Sequence, residues 1–280
     1  MNNKSLHVLA YHTVRDSTNF EIHLSYLKKN YSVISVDQLL EWYKSNIKLP
    51  KKPMLITFDD GDLSVYQNAL PLLKKYSLPA ILFIVTNLIN TEKPFWWDEI
   101  EYYLGKEEGN KKVWEVKTWP NSKREAFLEE LRNNSSKPLL KYKQLTTAQL
   151  KEMQGADIMI ANHSHTHPMF DQCTQEELES EIKSSIEILK DLGFTPDVFA
   201  YPNGNYSPDA ENVLKKYGAD KAYLFDHKIN KKEINHLRIS RLVVNDTTPL
   251  WKFKLILSGW HTRILPFTRF AGKLKAILKK

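Results

Sequence analysis

Two stretches of this 280-residue chain combine residue types that do chemistry. The first is Met54-Leu55-Ile56-Thr57-Phe58-Asp59-Asp60-Gly61, a short apolar run after Pro53 ending on two adjacent carboxylates and a glycine. Such a run reads as a buried strand. Side chains alternate along a strand, so Asp59 and Asp60 would diverge at a regular strand end. Leaving the strand lets both turn toward one site, and Gly61 permits the bend. Neighbouring anions repel unless a cation sits between them or one takes up a proton. A metal ligand can stand beside a general base on those terms. An isolated Asp-Asp-Gly equally suits an ordinary turn with solvated carboxylates, so the rest of the chain has to decide.

The second stretch, Asn162-His163-Ser164-His165-Thr166-His167-Pro168, directly follows an apolar strand pattern over residues 157–161. This density of histidine is hard to explain as core packing. His163 and His167 are four apart, a spacing that on a turn of helix puts both imidazoles on one face for a shared cation. His165 then points elsewhere. With Asp60 the pair makes a two-nitrogen, one-oxygen set on successive strand ends, leaving coordination positions for water and substrate. A cation so held lowers the pKa of water toward ~7 and polarises an acyl carbonyl.

The elements that must position these residues alternate along the chain. Strands are expected over residues 6–12, 33–36, 54–58, 80–85, 157–161, 198–201, 221–225 and 237–244. Helical spacing covers 20–30, 37–45 (capped by Ser35 or Asp37), 63–76, 146–153, 176–192 and 209–217. Residues 90–145 interrupt the rhythm as an insertion, with helices over 95–104 and 122–132 and a strand over 112–117 beside a hairpin. Repeated strand–helix units indicate a parallel α/β fold, and their number suits a barrel.

Composition narrows the class. The single cysteine, Cys173, excludes an internal disulfide and suits a reducing compartment. The N-terminus has no signal-peptide pattern, and no stretch approaches the ~20 apolar residues of a membrane span. The expectation is a cytoplasmic protein. Seven Trp, 13 Tyr and 12 Phe are many for this length, and aromatic-rich clefts often bind sugars, although plain core packing must account for most of them. The net charge of +7 resides at one end: after Asp246 there is no acidic residue and eight lysines and arginines, so residues 1–246 carry −1. We therefore divide the chain into a catalytic region, 1–246, and a basic amphipathic tail, 247–280. In the tail Phe267, Phe270, Leu274, Ile277 and Leu278 oppose Arg269, Lys273, Lys275, Lys279 and Lys280, behind a cluster of apolar and aromatic residues from Trp251 to Trp260. That pattern matches an interfacial helix on an anionic membrane, with packing on the barrel as the alternative. The rest of the chain has no broad basic face, so no nucleic-acid partner is expected.

Thr57-Phe58-Asp59-Asp60-Gly61 followed by His163-Ser164-x-x-His167 resembles the first two motifs of the NodB-type polysaccharide deacetylases, a carbohydrate esterase family. The likeness runs from Leu9-x-Tyr11-His12 to about Asn245, and Phe95-Trp96-Trp97-Asp98 looks like the start of an insertion in members from surface-polysaccharide pathways. The resemblance implies a distorted, partly open (β/α) barrel of about seven parallel strands holding one divalent metal. It implies Asp59 as general base and Asp60, His163 and His167 as ligands, with zinc the default and iron, nickel or cobalt also accepted by these donors. Phe199-Ala200-Tyr201-Pro202-Asn203-Gly204 resembles the third motif, in which the amide of Asn203 would help hold the oxyanion. Two departures stand out. The arginine that steadies the base is replaced by Ala200, leaving Arg238 or Arg241 to reach in from the late strand. The late histidine acting as general acid has no clear equivalent, and His12, His227 and His236 are its candidates. Trp97, Tyr201 and Pro202 are expected against the substrate or behind the site. The implied reaction removes an N-acetyl or O-acetyl group from a saccharide. A polyprenyl-phosphate-linked sugar at the inner face of the membrane would join the site to the tail. A deformylase or other C–N hydrolase, or an inactive glycan-binding protein, would use the same scaffold.

Overall fold

Strand ends meet because the strands are parallel and in register. The computed structural model describes residues 5–45, 49–231 and 234–260. Its strands are β1 (Ser5–Tyr11), β2 (Ser32–Val33), β3 (Pro53–Phe58), β4 (Ala80–Ile84), β5 (Ile158–Asn162), β6 (Val198–Ala200), β7 (Lys221–Tyr223), β8 (Asn230–Lys231) and β9 (Leu242–Val243). They form one sheet in the order β7-β6-β5-β4-β3-β1, all parallel, with β9 parallel on the far side of β1. β2 runs beside the start of β3, and β8 pairs antiparallel with the start of β1. The result is a curled, open half-barrel of seven parallel strands, as expected. Pairing sets Tyr11 beside Phe58, Phe58 beside Leu82, Ile84 beside Asn162 and Asn162 beside Phe199. Hence His12, Asp59 and His163, each the first residue after its strand, emerge at one rim, where α/β folds place their ligands.

The helices are α1 (Ser17–Asn30), α2 (Val36–Ser45), α3 (Leu70–Tyr76), α4 (Trp96–Leu104), α5 (Lys106–Val116), α6 (Asn121–Asn134), α7 (Thr147–Gln154), α8 (Gln175–Asp191), α9 (Pro208–Lys216) and α10 (Leu250–Leu257). Ser35 caps α2, exchanging hydrogen bonds with Gln38, and Thr146 and Thr174 make capping boxes on α7 and α8. Buried Val, Ile, Leu and Phe fill the strands on both faces, as a sheet covered on both sides requires.

Three expectations are corrected. Residues 112–117 belong to a helix: β-branched Val113 and Val116 suggest a strand, but they lie three apart on the inner face of α5. Gly109 lets α5 approach α4 closely, since a Cβ there would stand 2.5 Å from the Glu101 backbone. The 63–76 helix opens with a π-helical stretch, Val65–Ala69, before α3. Residues 237–244 are no continuous strand: Ile239 bridges Tyr223 of β7, and β9 then lies on β1, so the segment crosses the seam between the two edges of the sheet. Beyond Asp246, α10 buries Phe253, Ile256 and Leu257 in the barrel core while Trp251 stays exposed. The amphipathic pattern after Arg263 lies outside the described residues. No helix among the described residues is long and apolar enough to cross a membrane.

Candidate active site

The backbone leaves β3 abruptly. Asp59 still donates its N–H to Tyr11 O as a strand residue would, and Gly61 N–H then turns back onto Asp59 O at 2.9 Å. Asp60 itself has φ +71° and Gly61 +91°, so the bend begins one residue before the glycine. Both carboxylates are buried at the rim. His163 and His167 are not on a helix; the loop between them turns through left-handed Ser164 and His167. Ser164 Oγ accepts the His167 N–H at 3.0 Å. Glu181 of α8 accepts the N–H groups of His165 and Thr166 at 2.9 and 2.8 Å. The loop achieves what the helical spacing was expected to do. Nε2 of His163 and of His167 stand 3.3 and 3.4 Å from the same atom, Asp60 Oδ1.

These donors fit a cation. His163 Nδ1 donates to Ala200 O at 2.8 Å, which leaves a lone pair on the Nε2 of a neutral ring. Lone pair then faces carboxylate oxygen unless a proton or a cation lies between. For ligand bonds of ~2.0–2.1 Å the edge of a tetrahedral site is ~3.3–3.4 Å, the spacing found here. Burial drives the pKa of His167 down to about 3 despite the opposing pull of Asp60, keeping it the neutral imidazole that ligation needs. Burial would also lower His163, but the carboxylates of Asp59 and Asp60 outweigh it and hold the pKa up. Burial raises an acid's pKa, yet the neighbouring imidazoles leave Asp60 well below the usual carboxylate range.

Asp59 is held differently. Arg241, on the segment crossing the seam, forks both its oxygens at 2.6 and 2.7 Å and donates also to Thr57 Oγ1 and Leu224 O. The guanidinium has no exposed surface. Burial of Asp59 works against ionisation, but Arg241 and then His163 outweigh it and lower its pKa. Arg241 thus supplies the arginine missing at Ala200. Arg238 does not reach the site: it pairs with Glu211 at 2.7 Å and covers the Tyr206 ring. Of the three histidines considered as proton donors, His12 comes to the site, its Nε2 4.0 Å from Asp59 Oδ2. His227 packs near Phe225, and His236 lies beside Lys221 and Asp220.

The third motif supplies a left-handed Asn203, φ +55°, on a short turn opened by buried Pro202. Tyr201 is a core residue: its hydroxyl, buried, donates to Leu237 O. The Trp97 ring lies edge-on to His167 at 4.8 Å.

Sequence reasoning missed the residues that hold the loops. Trp96 Nε1 and Arg124 Nη1 both donate to His167 O, at 3.1 and 3.0 Å. Lys117 Nζ donates to Asn203 Oδ1 at 2.9 Å. Burial lowers the Lys117 pKa against the pull of Asp60. All three come from the insertion. Burial, then Glu101 and Asp62, raises the Asp98 pKa to about 6. Only Glu181 left a signal in the sequence: a carboxylate beside Ile182 on the apolar face of a helix.

The polysaccharide deacetylase family model matches residues 46–222, a span holding Asp59, Asp60, His163, His167 and Asn203. The chain belongs to that family. It is accordingly a hydrolase acting on acylated carbohydrate. The poly-beta-1,6-N-acetyl-D-glucosamine N-deacetylase of Staphylococcus aureus is 25% identical over 243 residues, covering 87% of this chain and 70% of its own length. Its Staphylococcus epidermidis counterpart is 25% identical over 286 residues, covering 90% and 82%. Two solved structures share the fold. The Streptococcus pyogenes deacetylase PplD in complex with acetate has a TM-score of 0.67 at 18% identity, covering 91% of this chain and 99% of its own. IcaB from Ammonifex degensii has a TM-score of 0.66 at 21% identity, covering 91% and 97%.

Proposed function

We propose that this deacetylase is metal-dependent and removes N-acetyl groups from an N-acetylglucosamine-type glycan. The observation that carries the reading is the convergence of two imidazoles on one oxygen of Asp60, beside a second carboxylate fixed by Arg241. A divalent cation held by Asp60, His163 and His167, zinc by default, would polarise the acyl carbonyl and acidify a water. The Asp59 carboxylate takes the proton of the attacking water, its orientation set by the two-pronged Arg241 contact. The Asn203 N–H donates to the developing oxyanion. His12, the nearest imidazole to Asp59 outside the ligand pair, passes a proton to the leaving nitrogen, so that acetate and a free amine result. The names of the staphylococcal relatives support an N-acetylated hexosamine polymer as the substrate class.

The test measures metal content and acetate release together. Asp59→Asn should keep the metal and lose turnover, by ~10²–10⁴-fold for loss of a general base, while His163→Ala should lose both. Full activity in either variant sinks the assignment. From the sequence we further propose a cytoplasmic enzyme whose basic tail touches the inner membrane face and whose substrate is polyprenyl-phosphate-linked. Unchanged liposome binding after deletion of residues 262–280 would end that part.

A further inference from the structure

Lys117 closes α5, whose negative C-terminal end favours a cation. Its side chain leaves that helix and crosses the rim to the turn Pro202–Gly204, where Nζ donates to Asn203 Oδ1 at 2.9 Å. The ring of Trp114, itself exposed, lies 4.6 Å from Nζ. Both neighbours are neutral. Lys117 is half-buried, yet among the described residues it has no carboxylate partner. Lys112, half-buried on the same helix, is paired with Glu115 at 2.6 Å, and Arg124 and Arg132 of α6 are paired with Glu125 and Glu99.

A cation drawn out of water is ordinarily paired, because desolvation penalises it. Burial lowers the Lys117 pKa for that reason, against the pull of Asp60, and the same charge adds to the effect of burial on His167. The ammonium therefore faces the active site rather than open solvent. It has three N–H donors, of which Asn203 Oδ1 takes one. The position lacks an anion, and the reaction makes one. The acyl carbonyl oxygen becomes negative as water attacks, and it then departs within acetate.

Resting on the deacetylase reading, we infer that Lys117 is a further catalytic residue: its ammonium stands beside the Asn203 N–H as a second donor to the oxyanion of the tetrahedral intermediate and to the acetate that leaves. Asn203 meets Lys117 with its side chain and the reacting carbonyl with its N–H, so both donors border one position. A charged donor already aimed there before the substrate arrives needs no reorganisation as the charge develops. The ammonium keeps its protons throughout, and the proton for the leaving nitrogen still comes by way of His12. The insertion thus contributes to the chemistry as well as to the walls of the site.

The test uses the zinc-loaded full chain and the β-1,6-linked tetramer of N-acetylglucosamine. Lys117→Met should lower kcat roughly ten-fold with KM and zinc content unchanged. It should also weaken acetate binding, read by calorimetric titration, by roughly ten-fold. Lys117→Arg, which keeps the charge, should recover most of both. A lysine that only supports the turn would act through the Asn203 side chain. Asn203→Gly removes that side chain while keeping the N–H and suiting the left-handed backbone. In the Asn203→Gly background Lys117→Met should still cost roughly ten-fold in kcat. Disappearance of that loss, or acetate bound equally well with and without Lys117, overturns the inference. The acetate titration needs no turnover, so the two readings fail separately. An unsubstituted enzyme that releases no acetate ends the deacetylase reading, whereas release together with Lys117-independent acetate binding ends this inference alone.

Discussion

Asp59 and His167 lie within one site, yet the two regions that hold them work on opposite principles. At the barrel seam a side chain is fixed by a side chain: Arg241 saturates both oxygens of Asp59 in a pair with almost no solvent contact. At the insertion a side chain is fixed through its own backbone: Trp96 and Arg124 hold the carbonyl of His167, whose φ of +57° a non-glycine residue rarely adopts. The first arrangement ties catalysis to the stability of the whole sheet, because removing either charge leaves the other buried and alone. The second ties the geometry of the candidate metal site to an appended three-helix unit. Loss of the clamp loosens a ligand while the barrel stands.

The largest expected effect is at the seam. Arg241→Met should destabilise the fold by about 3–5 kcal/mol in urea titrations, since it strands the Asp59 charge. Arg241→Lys should recover part of this, having charge without the fork. At the insertion, Arg124→Met should weaken zinc binding by roughly 10–100-fold, the usual cost of losing a ligand's outer partner. Chelator competition reads this directly; a melting temperature lowered by Arg124→Met as far as by Arg241→Met would show that the insertion clamp supports the whole fold rather than one ligand. A smaller effect falls on Lys117→Met, which removes one of the two hydrogen bonds of the Asn203 side chain and leaves its bond to Asn205. Loss of one charged hydrogen bond of about 1.5 kcal/mol corresponds to roughly ten-fold in kcat, with metal content unchanged.

The smallest effect is on pH dependence at the base of the barrel, where α10 docks. His7 Nε2 donates to Leu257 O at 3.2 Å, and His23 stacks on Phe253 at 4.0 Å. Burial lowers the pKa of both below the ordinary histidine value, so the unfolded chain binds their protons first. Stability should be full above the unfolded value of ~6.5 and decline as pH falls below it. Urea midpoints between pH 7.5 and 5.5, a window of about two units around that value, would show the decline. His23→Gln should flatten part of it.

How much of this was legible beforehand differs by residue. The gathering of Asp60, His163 and His167 beside Asp59 was legible because their chemistry is written in residue type and in position at the end of an apolar strand. Their support was not. Arg241 read as one of two interchangeable arginines, and nothing in 237–244 announced that the segment would cross the seam instead of pairing along its length. The α5 residues read as a strand because Val113, Trp114 and Val116 favour one locally, and a contact with α4 overrode the preference. With α5 misassigned, Lys117 could not be placed near Asn203. The histidine loop reached its geometry through left-handed backbone and Glu181, although a helical turn was expected to do the same work.

By itself the sequence determined the alternation of strands and helices and the cluster of Asp60, His163 and His167 beside Asp59, because hydrophobic period and side-chain chemistry are local properties. Tertiary structure decided which arginine meets Asp59, which imidazole stands within reach of it, and which donors hold His167. Those are contacts between segments far apart in the chain, and their partners are chosen by register and packing, which no local pattern encodes.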